Sequence, residues 1–412
     1  MNVNEDFYAA AEKILSDIEQ IFRKDPKLHS FEIIPVVTNE NKSPVYHVEH
    51  CLGLESWCIP HIFCHAYQNV ISMRQNKGCR DLKRLNTLLM GALMINPEIT
   101  TFWNMRKELI NSGKLDAHFE LHFTAVILTR KPKSADVFLH RKWILKKLLL
   151  GVPEDFGLIL NEMNICEVAA DRYSNNYHAW THRAWCLMQG EPLQGSLAQF
   201  YQQELNRSEM WISKHVSDYS GLQFRQQLLK KIFQFLDTPN SESVVNYLQN
   251  VDESIEEFFF TIGLKNMNIH SLNLTIKMQI CIYELILNTG FIKDFIGHEA
   301  LWYHRRFVFN FIKESLIPKD AFDSNKCWGF KDISHLNCDA IPVQKQNLDP
   351  CYLNEKFILL LSIFEDNFLK KYTSNNVDSR EKLYAERHAH WLERYLKFKL
   401  PYNLDLLKGT LI

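Results

Sequence analysis

The feature that most restricts how this chain can fold is a tryptophan followed three residues later by a cation. The chain has 9 tryptophans and 47 lysines plus arginines among 412 residues, so chance predicts about one such pair. Seven tryptophans form one. The pairs are Trp103–Arg106, Trp143–Lys146, Trp180–Arg183, Trp211–Lys214, Trp302–Arg305, Trp328–Lys331 and Trp391–Arg394. Such recurrence indicates that one structural unit is repeated along the chain.

Two weaker copies of the pair place another large apolar residue at the first position. They are Phe138 with Arg141 and Leu222 with Arg225. The first positions 103, 138, 180 and 222 are then separated by 35, 42 and 42 residues, and the next two steps, to 302 and 391, are 80 and 89 residues. A period of this length is typical of solenoids, and the longer steps are about twice the unit.

The segments around the pairs have the periodicity of a helix. Tyr177, Trp180, Ala184 and Leu187 fall on one helical stripe, and Asn176 stands at the expected N-cap. Residues 154–173 form a second amphipathic segment just upstream, so each repeat is predicted to be a pair of antiparallel helices. The scarcity of turn residues, 14 Gly and 13 Pro, agrees with long helices. The predicted fold is all-α, a right-handed α-α superhelix with a crescent shape.

We interpret the tryptophan and the arginine first as structural residues. The tryptophan would fill the space between helices, and the arginine on the same face would reach either helix carbonyls or a carboxylate of the neighbouring hairpin. The whole chain, 1–412, is treated as one domain. It comprises an N-terminal elaboration over 1–78 with an extended-looking stretch at 31–38, repeats over 80–316, a long loop over 317–350 and a terminal helical pair within 351–412.

Composition narrows the function classes. The net charge of −1, with 23% charged residues, argues against a protein built to bind nucleic acid or an anionic membrane. The N-terminal residues include acids and no apolar core run, and no stretch of 18 apolar residues is present. The ten cysteines lack a framework spacing, and none lies four residues from the end as in a prenylation signal. These features predict a cytoplasmic protein with reduced thiols.

Two segments invite a metal-site interpretation that the residue pattern does not favour. Residues 47–65 collect His47, His50, Cys51, Cys58, His61, Cys64 and His65. Neighbours such as Trp57 and Phe63 have core character, so these side chains are not expected to converge on one ion. The acidic run at 252–263 is interpreted as the exposed face of a helix. No metal site is therefore predicted in this chain.

The residue pattern of the repeat resembles that of the protein prenyltransferase α-subunit family, which is Asn-Tyr-x-x-Trp-x-x-Arg. The match is strongest at 176–185, "NYHAWTHRAW", and degenerate copies keep Trp103 with Arg106 and Glu299 with Trp302 and Arg305. The resemblance covers about residues 80–316, with a loose sixth copy at 388–398. Within the family, the chain is most similar to the divergent repeat-containing branch, rather than to the farnesyl or Rab-specific α chains.

The resemblance implies a helical crescent that wraps a separate β subunit. In this family the β subunit holds the zinc and the lipid pocket, and this chain would need no cofactor of its own. The reaction is attack by a protein cysteine thiolate on C1 of an isoprenyl diphosphate. The α subunit contributes chiefly cations near the diphosphate and the subunit interface. The resemblance thus implies a subunit of a geranylgeranyltransferase complex that is inactive alone.

The family motif carries three candidate site residues over to this chain. Its second repeat has a lysine five residues before the tryptophan position, and here Lys133 stands five before Phe138. The tyrosine that often follows two residues later is replaced by Ala135, which leaves any tyrosine contact from this repeat in doubt. In the third repeat, Tyr177 and His178 match positions at the rim of the substrate site. The plainer alternatives are a solvated lysine and an ordinary helix start.

Two functions remain open from the sequence. The first is the α subunit of a prenyltransferase, with a Rab geranylgeranyltransferase type β subunit favoured by elimination. The second is a helical-repeat scaffold without transferase activity. Retention of Lys133 and the intact third repeat favour the first, whereas Ala135 and the degenerate copies favour the second. The sequence names neither the protein substrate nor the lipid chain length.

Overall fold

The computed structural model describes residues 3–36, 43–75, 81–151, 156–190, 197–238, 251–263, 274–316, 328–329, 350–372 and 377–400. This part of the chain is mostly helical, with fifteen α-helices. The chain divides into two compact units, Met1–Gly195 and Ser196–Ile412, and the boundary falls inside the 80–316 repeat region. Each unit is described by itself. No helix among the described residues combines the length and the apolar character needed to cross a membrane.

The first unit begins with a helix and a small sheet and continues as helical pairs. Its elements are α1 Val3–Lys24, β1 Ser30–Ile34, β2 Val45–Val48, β3 Cys51–Glu55, α2 Ile59–Gln75, α3 Leu82–Ile95, α4 Thr100–Asn111, α5 Ala117–Arg130, α6 Ala135–Gly151, α7 Phe156–Arg172 and α8 Tyr177–Gly190. Strand β3 lies in the middle of the sheet, parallel to β1 and antiparallel to β2. The extended stretch predicted at 31–38 corresponds to β1, whereas residues 37 and 38 lie outside the described part.

The N-terminal elaboration packs directly on the first repeat. Helix α1 contacts α2 and α3, and α5 contacts β1. The approach of α1 to α3 is close at Gly91, where an added Cβ would lie 2.0 Å from Cδ2 of Leu15. Phe22 of α1 packs edge-on against Phe123 of α5, with ring centroids 5.5 Å apart. The helix and sheet before residue 80 therefore share the core of the repeats.

The repeat unit of the first half is a helical hairpin, as the periodicity predicts. The hairpins are α3–α4, α5–α6 and α7–α8, and the two helices of each are in contact. First helices also pack side by side (α5 on α7), as do second helices (α4 on α6, and α6 on α8). The positions Trp103, Phe138 and Trp180 are buried between these layers. Each hairpin therefore buries its apolar stripe against the next one.

The described residues of the second unit form three further hairpins and one additional helix. Its elements are α9 Leu197–Lys214, α10 Tyr219–Leu236, α11 Val251–Thr261, α12 Ile276–Asp294, α13 Glu299–Leu316, β4 Trp328–Gly329, α14 Pro350–Tyr372, α15 Ser379–Trp391 and β5 Phe398–Lys399. The hairpins are α9–α10, α12–α13 and α14–α15. Acidic residues 252, 253, 256 and 257 are exposed on α11, which agrees with the interpretation of that run as a helix face.

The double step between Leu222 and Trp302 does not contain a described extra hairpin. Helix α10 packs directly on α13, and the described residues between them add α11 as a single helix. The predicted loop at 317–350 lies outside the described residues, apart from the two-residue strand β4 and the first residue of α14. The two long intervals of the repeat, from 222 to 302 and from 302 to 391, are therefore explained by additional residues between neighbouring hairpins.

Candidate functional site

Four arginines of the repeats are the centres of buried polar clusters, shown most fully by Arg141. Its Nε and one terminal nitrogen donate to the two carboxylate oxygens of Glu162 at 2.8 and 2.5 Å. The other terminal nitrogen donates to the Leu121 carbonyl at 2.5 Å and to the Thr124 hydroxyl at 2.6 Å. Leu121 and Thr124 belong to the same hairpin as Arg141, and Glu162 belongs to the following one. One guanidinium therefore joins two hairpins.

The same cluster recurs in both units. Arg106 pairs with Glu120, Arg225 with Glu284 and Arg305 with Glu365, with shortest N···O distances of 2.5, 2.7 and 2.5 Å. A histidine of the following hairpin contacts each glutamate through Nε2. The pairs are His140–Glu120, His182–Glu162, His304–Glu284 and His388–Glu365, at 2.8, 2.7, 2.6 and 2.9 Å. We call each set an Arg–Glu–His cluster.

The charges of these clusters are buried but compensated. Glu120, Glu162, Glu284 and Glu365 are all at most 2% exposed. Burial alone would raise the pKa of each carboxyl, but the charge of its arginine, with hydrogen bonds from the arginine and the histidine, lowers the pKa to about 2. A planar guanidinium suits this role because its fork of donors matches a carboxylate on one side and carbonyl or hydroxyl oxygens on another.

The histidine of the cluster is neutral at two of these positions. Burial lowers the pKa of His140 and of His388 by more than the neighbouring glutamate raises it. Their Nε2 atoms face ionised carboxylates, which only accept hydrogen bonds, so Nε2 carries the proton. Their Nδ1 atoms are buried without a hydrogen-bond partner among the described residues, which fits the unprotonated nitrogen of this tautomer. These histidines orient the carboxylate without adding charge.

The sequence analysis named the arginines but missed their acidic partners. Glu120, Glu162, Glu204 and Glu284 each lie 21 residues before the arginine of their own hairpin, namely Arg141, Arg183, Arg225 and Arg305. Three of these four arginines directly follow a histidine. That spacing is a signal which the search for tryptophan did not use. The predicted carbonyl contact and the predicted carboxylate contact both occur, because one guanidinium makes both.

The last copy of the repeat is aligned differently by the structure. His388, not Trp391, occupies a cluster position, and Trp391 stacks on it at 6.1 Å. Trp143 stacks on His140 in the same way, also at 6.1 Å. The predicted partner Arg394 is exposed in the short π-helix Leu392–Leu396. Trp391 therefore corresponds to Trp143, five positions later in the repeat than the sequence pattern placed it.

The remaining tryptophan–lysine pairs do not form buried clusters. Lys146 and Lys214 are exposed, and Trp211 donates its indole N–H to Asp218 at 3.0 Å. Lys331 lies outside the described residues. In the copies at Trp143 and Trp211 the spacing places the tryptophan and the lysine on the same side of a helix, but the lysine stays at the surface. The arginines of the clusters are buried.

The residues predicted to contact substrate lie at one edge of the first unit. Asn176 caps α8 by accepting from the Ala179 N–H at 3.2 Å, and its side-chain amide donates to the Pro132 carbonyl at 2.7 Å. This bond holds the start of α6 beside the start of α8, and therefore brings the residues next to Pro132 and Asn176 close together. Asn175 precedes the cap with φ of 53°, a left-handed conformation that asparagine tolerates.

Four exposed or partly exposed polar side chains are presented at this edge. The Lys133 ammonium lies 4.5 Å from the ring centroid of Tyr173, and both residues are exposed. Tyr177 is 55% exposed, and its ring meets that of the half-buried His178 at 5.7 Å. We call Lys133, Tyr173, Tyr177 and His178 the α6–α8 edge. Tyr173 was not among the predicted residues; it directly follows α7 and stands four residues before Tyr177.

The edge has the chemistry of an anion-binding rim. It combines an ammonium group, two phenols and an imidazole, and none of these side chains is committed to a buried cluster. A cation over an aromatic face is held in place without being neutralised, so Lys133 keeps its charge available to a ligand. Ala135 is half-buried at the first turn of α6 and offers no polar group in place of the family tyrosine.

The histidines and cysteines of 47–65 have other partners. His47 and His50 both contact Asp25, at 2.7 and 2.9 Å, and together they lower the pKa of that carboxyl to about 2 against the effect of burial. Cys58 is buried, and its thiol donates to the Glu55 carbonyl at 3.0 Å. Among the described residues, no three His, Cys, Asp or Glu side chains are grouped so that they could hold a metal ion.

Comparison with known proteins agrees with the repeat. The sequence profile described as "Protein prenyltransferase alpha subunit repeat" matches residues 159–190 and 201–232. The chain is 32% identical over 334 residues to protein prenyltransferase alpha subunit repeat-containing protein 1-A of Xenopus laevis, covering 76% of this chain and 75% of that protein. The human repeat-containing protein 1 is 32% identical over 328 residues, covering 74% of this chain and 79% of that protein.

A more distant relative is an enzyme subunit by name. The geranylgeranyl transferase type-2 subunit alpha of Saccharomyces cerevisiae is 26% identical over 185 residues, covering 43% of this chain and 54% of that protein. The stronger similarity extends over about three quarters of the chain. The chain therefore belongs to the family of protein prenyltransferase alpha subunit repeat-containing proteins.

Proposed function

We propose that this chain is the α subunit of a heterodimeric protein prenyltransferase of the cytoplasm. With a separate β subunit, it supports transfer of a geranylgeranyl group from its diphosphate to a cysteine in the C-terminal region of a protein substrate. The observation that carries the proposal is the α6–α8 edge, where the exposed Lys133 and Tyr177 and the half-buried His178 are presented by two helix starts that the bond from Asn176 to Pro132 joins. The proposed overall shape is a right-handed crescent of hairpins around the β subunit.

The proposed reaction divides its work between two subunits. The cysteine sulfur forms a bond to C1 of the isoprenyl group while the bond from C1 to the diphosphate oxygen breaks, and the diphosphate leaves with the electron pair. Zinc and the lipid pocket belong to the β subunit. In this proposal Lys133 faces the leaving diphosphate, because a positioned cation lowers the barrier by favouring the negative charge that develops there.

The first test is whether the chain needs a partner at all. Purified chain alone should transfer no prenyl group, and activity should appear when a β subunit is added. Co-expression with each type of β subunit should give a stable complex with the Rab geranylgeranyltransferase type, in line with the similarity to type-2 alpha subunits. A stable complex with a farnesyl-type β subunit alone would refute that choice of partner.

The second test addresses Lys133. In the complex, Lys133→Ala should slow the single-turnover rate about tenfold, or about 1.4 kcal/mol. This is less than the loss of a fully enclosed electrostatic contact, because Lys133 is exposed and shares its task with the β subunit. Lys131→Ala removes an exposed lysine from the same turn and should leave the rate unchanged. Equal rates for the two variants would mean that Lys133 is a solvated surface lysine.

The second candidate function is a scaffold that retains the hairpins without an enzyme partner. The observation that favours it is Ala135, which leaves the start of α6 without the tyrosine found in the family. Pull-down with prenyltransferase β subunits separates the two functions. Failure to capture any of them, with a folded chain, would favour the scaffold.

A further inference from the structure

A second group of exposed polar and aromatic residues lies in the second unit. Tyr219 of α10 and Tyr303 of α13 meet with ring centroids 6.0 Å apart and are 47% and 49% exposed. The guanidinium carbon of Arg306 lies 5.0 Å from the centroid of Tyr303. Arg387 of α15 reaches Glu299 at 3.4 Å across the same surface. We call Tyr219, Tyr303, Arg306 and Arg387 the Tyr–Arg cluster.

Arg306 is unusual because its charge is partly desolvated without a carboxylate. No carboxylate among the described residues forms an ion pair with it, and its Nε is buried without a hydrogen-bond acceptor there. Its neighbour Arg305 is fully buried but bound to both oxygens of Glu365. Burial lowers the pKa of Arg306, and the like charge of Arg387 adds to that effect against the opposing influence of Tyr303 and Glu299. This half-buried cation lacks the carboxylate that compensates the arginine of each Arg–Glu–His cluster.

The corresponding position in the first unit is arranged differently. Lys142 follows Arg141 as Arg306 follows Arg305, and its ammonium lies 5.1 Å from the ring centroid of Trp185 in the next hairpin. Arg306 instead stacks on Tyr303 of its own helix, next to the exposed ring of Tyr219. The second unit therefore has an open face of two phenols and two guanidiniums, a composition typical of the centres of protein interfaces.

The charges of this face favour an acidic ligand. Arg387 is 55% exposed and forms an ion pair with Glu299 at an N···O distance of 3.4 Å, which is long for a strong ion pair. The positive charges of Arg306 and Arg387 thus face the single carboxylate of Glu299, and Arg306 has guanidinium N–H groups that do not donate to Glu299. Arg306 is already partly desolvated before any ligand binds, so binding a carboxylate does not have to supply that part of the desolvation free energy. A carboxylate of a partner would therefore compensate the charge of Arg306 at a lower cost.

We propose that the Tyr–Arg cluster is a docking site for an acidic segment of a partner protein. One carboxylate of the segment binds Arg306, a second binds Arg387, and the backbone between them packs on the rings of Tyr219 and Tyr303. The site lies in a different unit from the α6–α8 edge, so the proposal is independent of the prenyltransferase function.

The experiment measures binding of a fluorescein-labelled hexaglutamate peptide to the full chain by fluorescence anisotropy. Arg306→Gln should weaken binding at least tenfold. Tyr303→Leu keeps every charge and should weaken binding about threefold or more if the rings pack on the peptide. The matched control is Arg394→Gln, which removes an exposed arginine of the same unit outside the cluster and should leave the affinity unchanged.

Several results would overturn the proposal. Equal loss in Arg306→Gln and Arg394→Gln would show that the peptide responds only to total charge. Absence of binding by the folded parent chain at millimolar peptide would exclude the site. Binding of phosphatidylserine vesicles that depends on Arg306, without binding of hexaglutamate, would assign the surface to a membrane instead. Circular dichroism of each variant separates loss of binding from loss of fold.

Discussion

Replacing Arg141 by methionine tests whether the Arg–Glu–His clusters stabilise the hairpins. Methionine is similar in length and fills the same space, but it removes every hydrogen bond that joins α5 to α7 through the guanidinium. Glu162 then stays buried, at 1% exposure, with His182 as its remaining cluster partner. Removing one partner of a buried ion pair typically costs about 3–5 kcal/mol because the other charge is left uncompensated.

The pKa of Glu162 supports the same magnitude. Its folded value is about 2 against an ordinary value of 4.5. At about 1.4 kcal/mol for each pKa unit, the interactions of the ionised carboxylate contribute about 3 kcal/mol at neutral pH. Because the folded pKa is below the unfolded one, this contribution is complete above pH 4.5 and is lost as the pH falls towards 2.

The variant should respond to pH in the opposite sense. Without Arg141, burial dominates and raises the pKa of Glu162 above its ordinary value. Protonation then relieves the uncompensated charge, so the stability gap between the variant and the parent chain should narrow as the pH is lowered from 7 to 5. A merely steric effect of the substitution would not depend on pH in this range.

Hydrogen exchange of α7 and α8 is the suitable assay, because two compact units make a single global unfolding energy hard to define. At pH 7, protected amides in 156–190 should exchange about two to four orders of magnitude faster in Arg141→Met, after correction for intrinsic rates. The control is Arg172→Met, which removes an exposed arginine paired with the exposed Glu32 and should cost at most about 1 kcal/mol. Equal effects of the two substitutions, or a gap that is constant with pH, would refute the reasoning.

Two further predictions follow from packing. Trp180→Ala should open a cavity between hairpins and lower stability by about 3–5 kcal/mol, measured as a lower thermal midpoint and a reduced yield of the complex with the β subunit. Gly290→Ala should raise the thermal midpoint by the equivalent of about 0.5–1 kcal/mol, because nothing lies within 4 Å of the added methyl in α12. Gly91→Ala should show no such gain, since its methyl would lie 2.0 Å from Leu15; an equal gain at both positions would contradict the described packing.

The sequence predicted the helical hairpins well because their signals are local. Apolar stripes, an asparagine cap and the spacing of tryptophan and arginine all act within one or two helical turns. The acidic partners were missed because they lie on another hairpin, as with Arg225 and Glu284, which are 59 residues apart. No pattern in a single helix reveals which carboxylate will meet an arginine across such a distance.

The alignment of the last copy failed for a related reason. Its histidine follows Glu365 by 23 residues, whereas His140 follows Glu120 by 20. The three additional residues between the glutamate and the histidine amount to almost one helical turn. A search for tryptophan then selects Trp391, which is a tryptophan but stands at a later position of the repeat. The α6–α8 edge was predicted in part, since Lys133 and Tyr177 match a motif, while Tyr173 does not belong to it.

The direction of the clusters has a consequence for how such an array can begin and end. In each of the four described clusters, the arginine of one hairpin binds a glutamate of the following hairpin. The first pair, α3–α4, has Leu85 where later hairpins carry the glutamate, so it gives Arg106 without needing a predecessor. The last pair, α14–α15, has Ala389 directly after His388, where the other hairpins carry the arginine. The series of hairpins therefore has a direction. An internal hairpin can be duplicated with every charge still paired. Removing the last hairpin instead leaves the arginine of the preceding hairpin buried without a carboxylate.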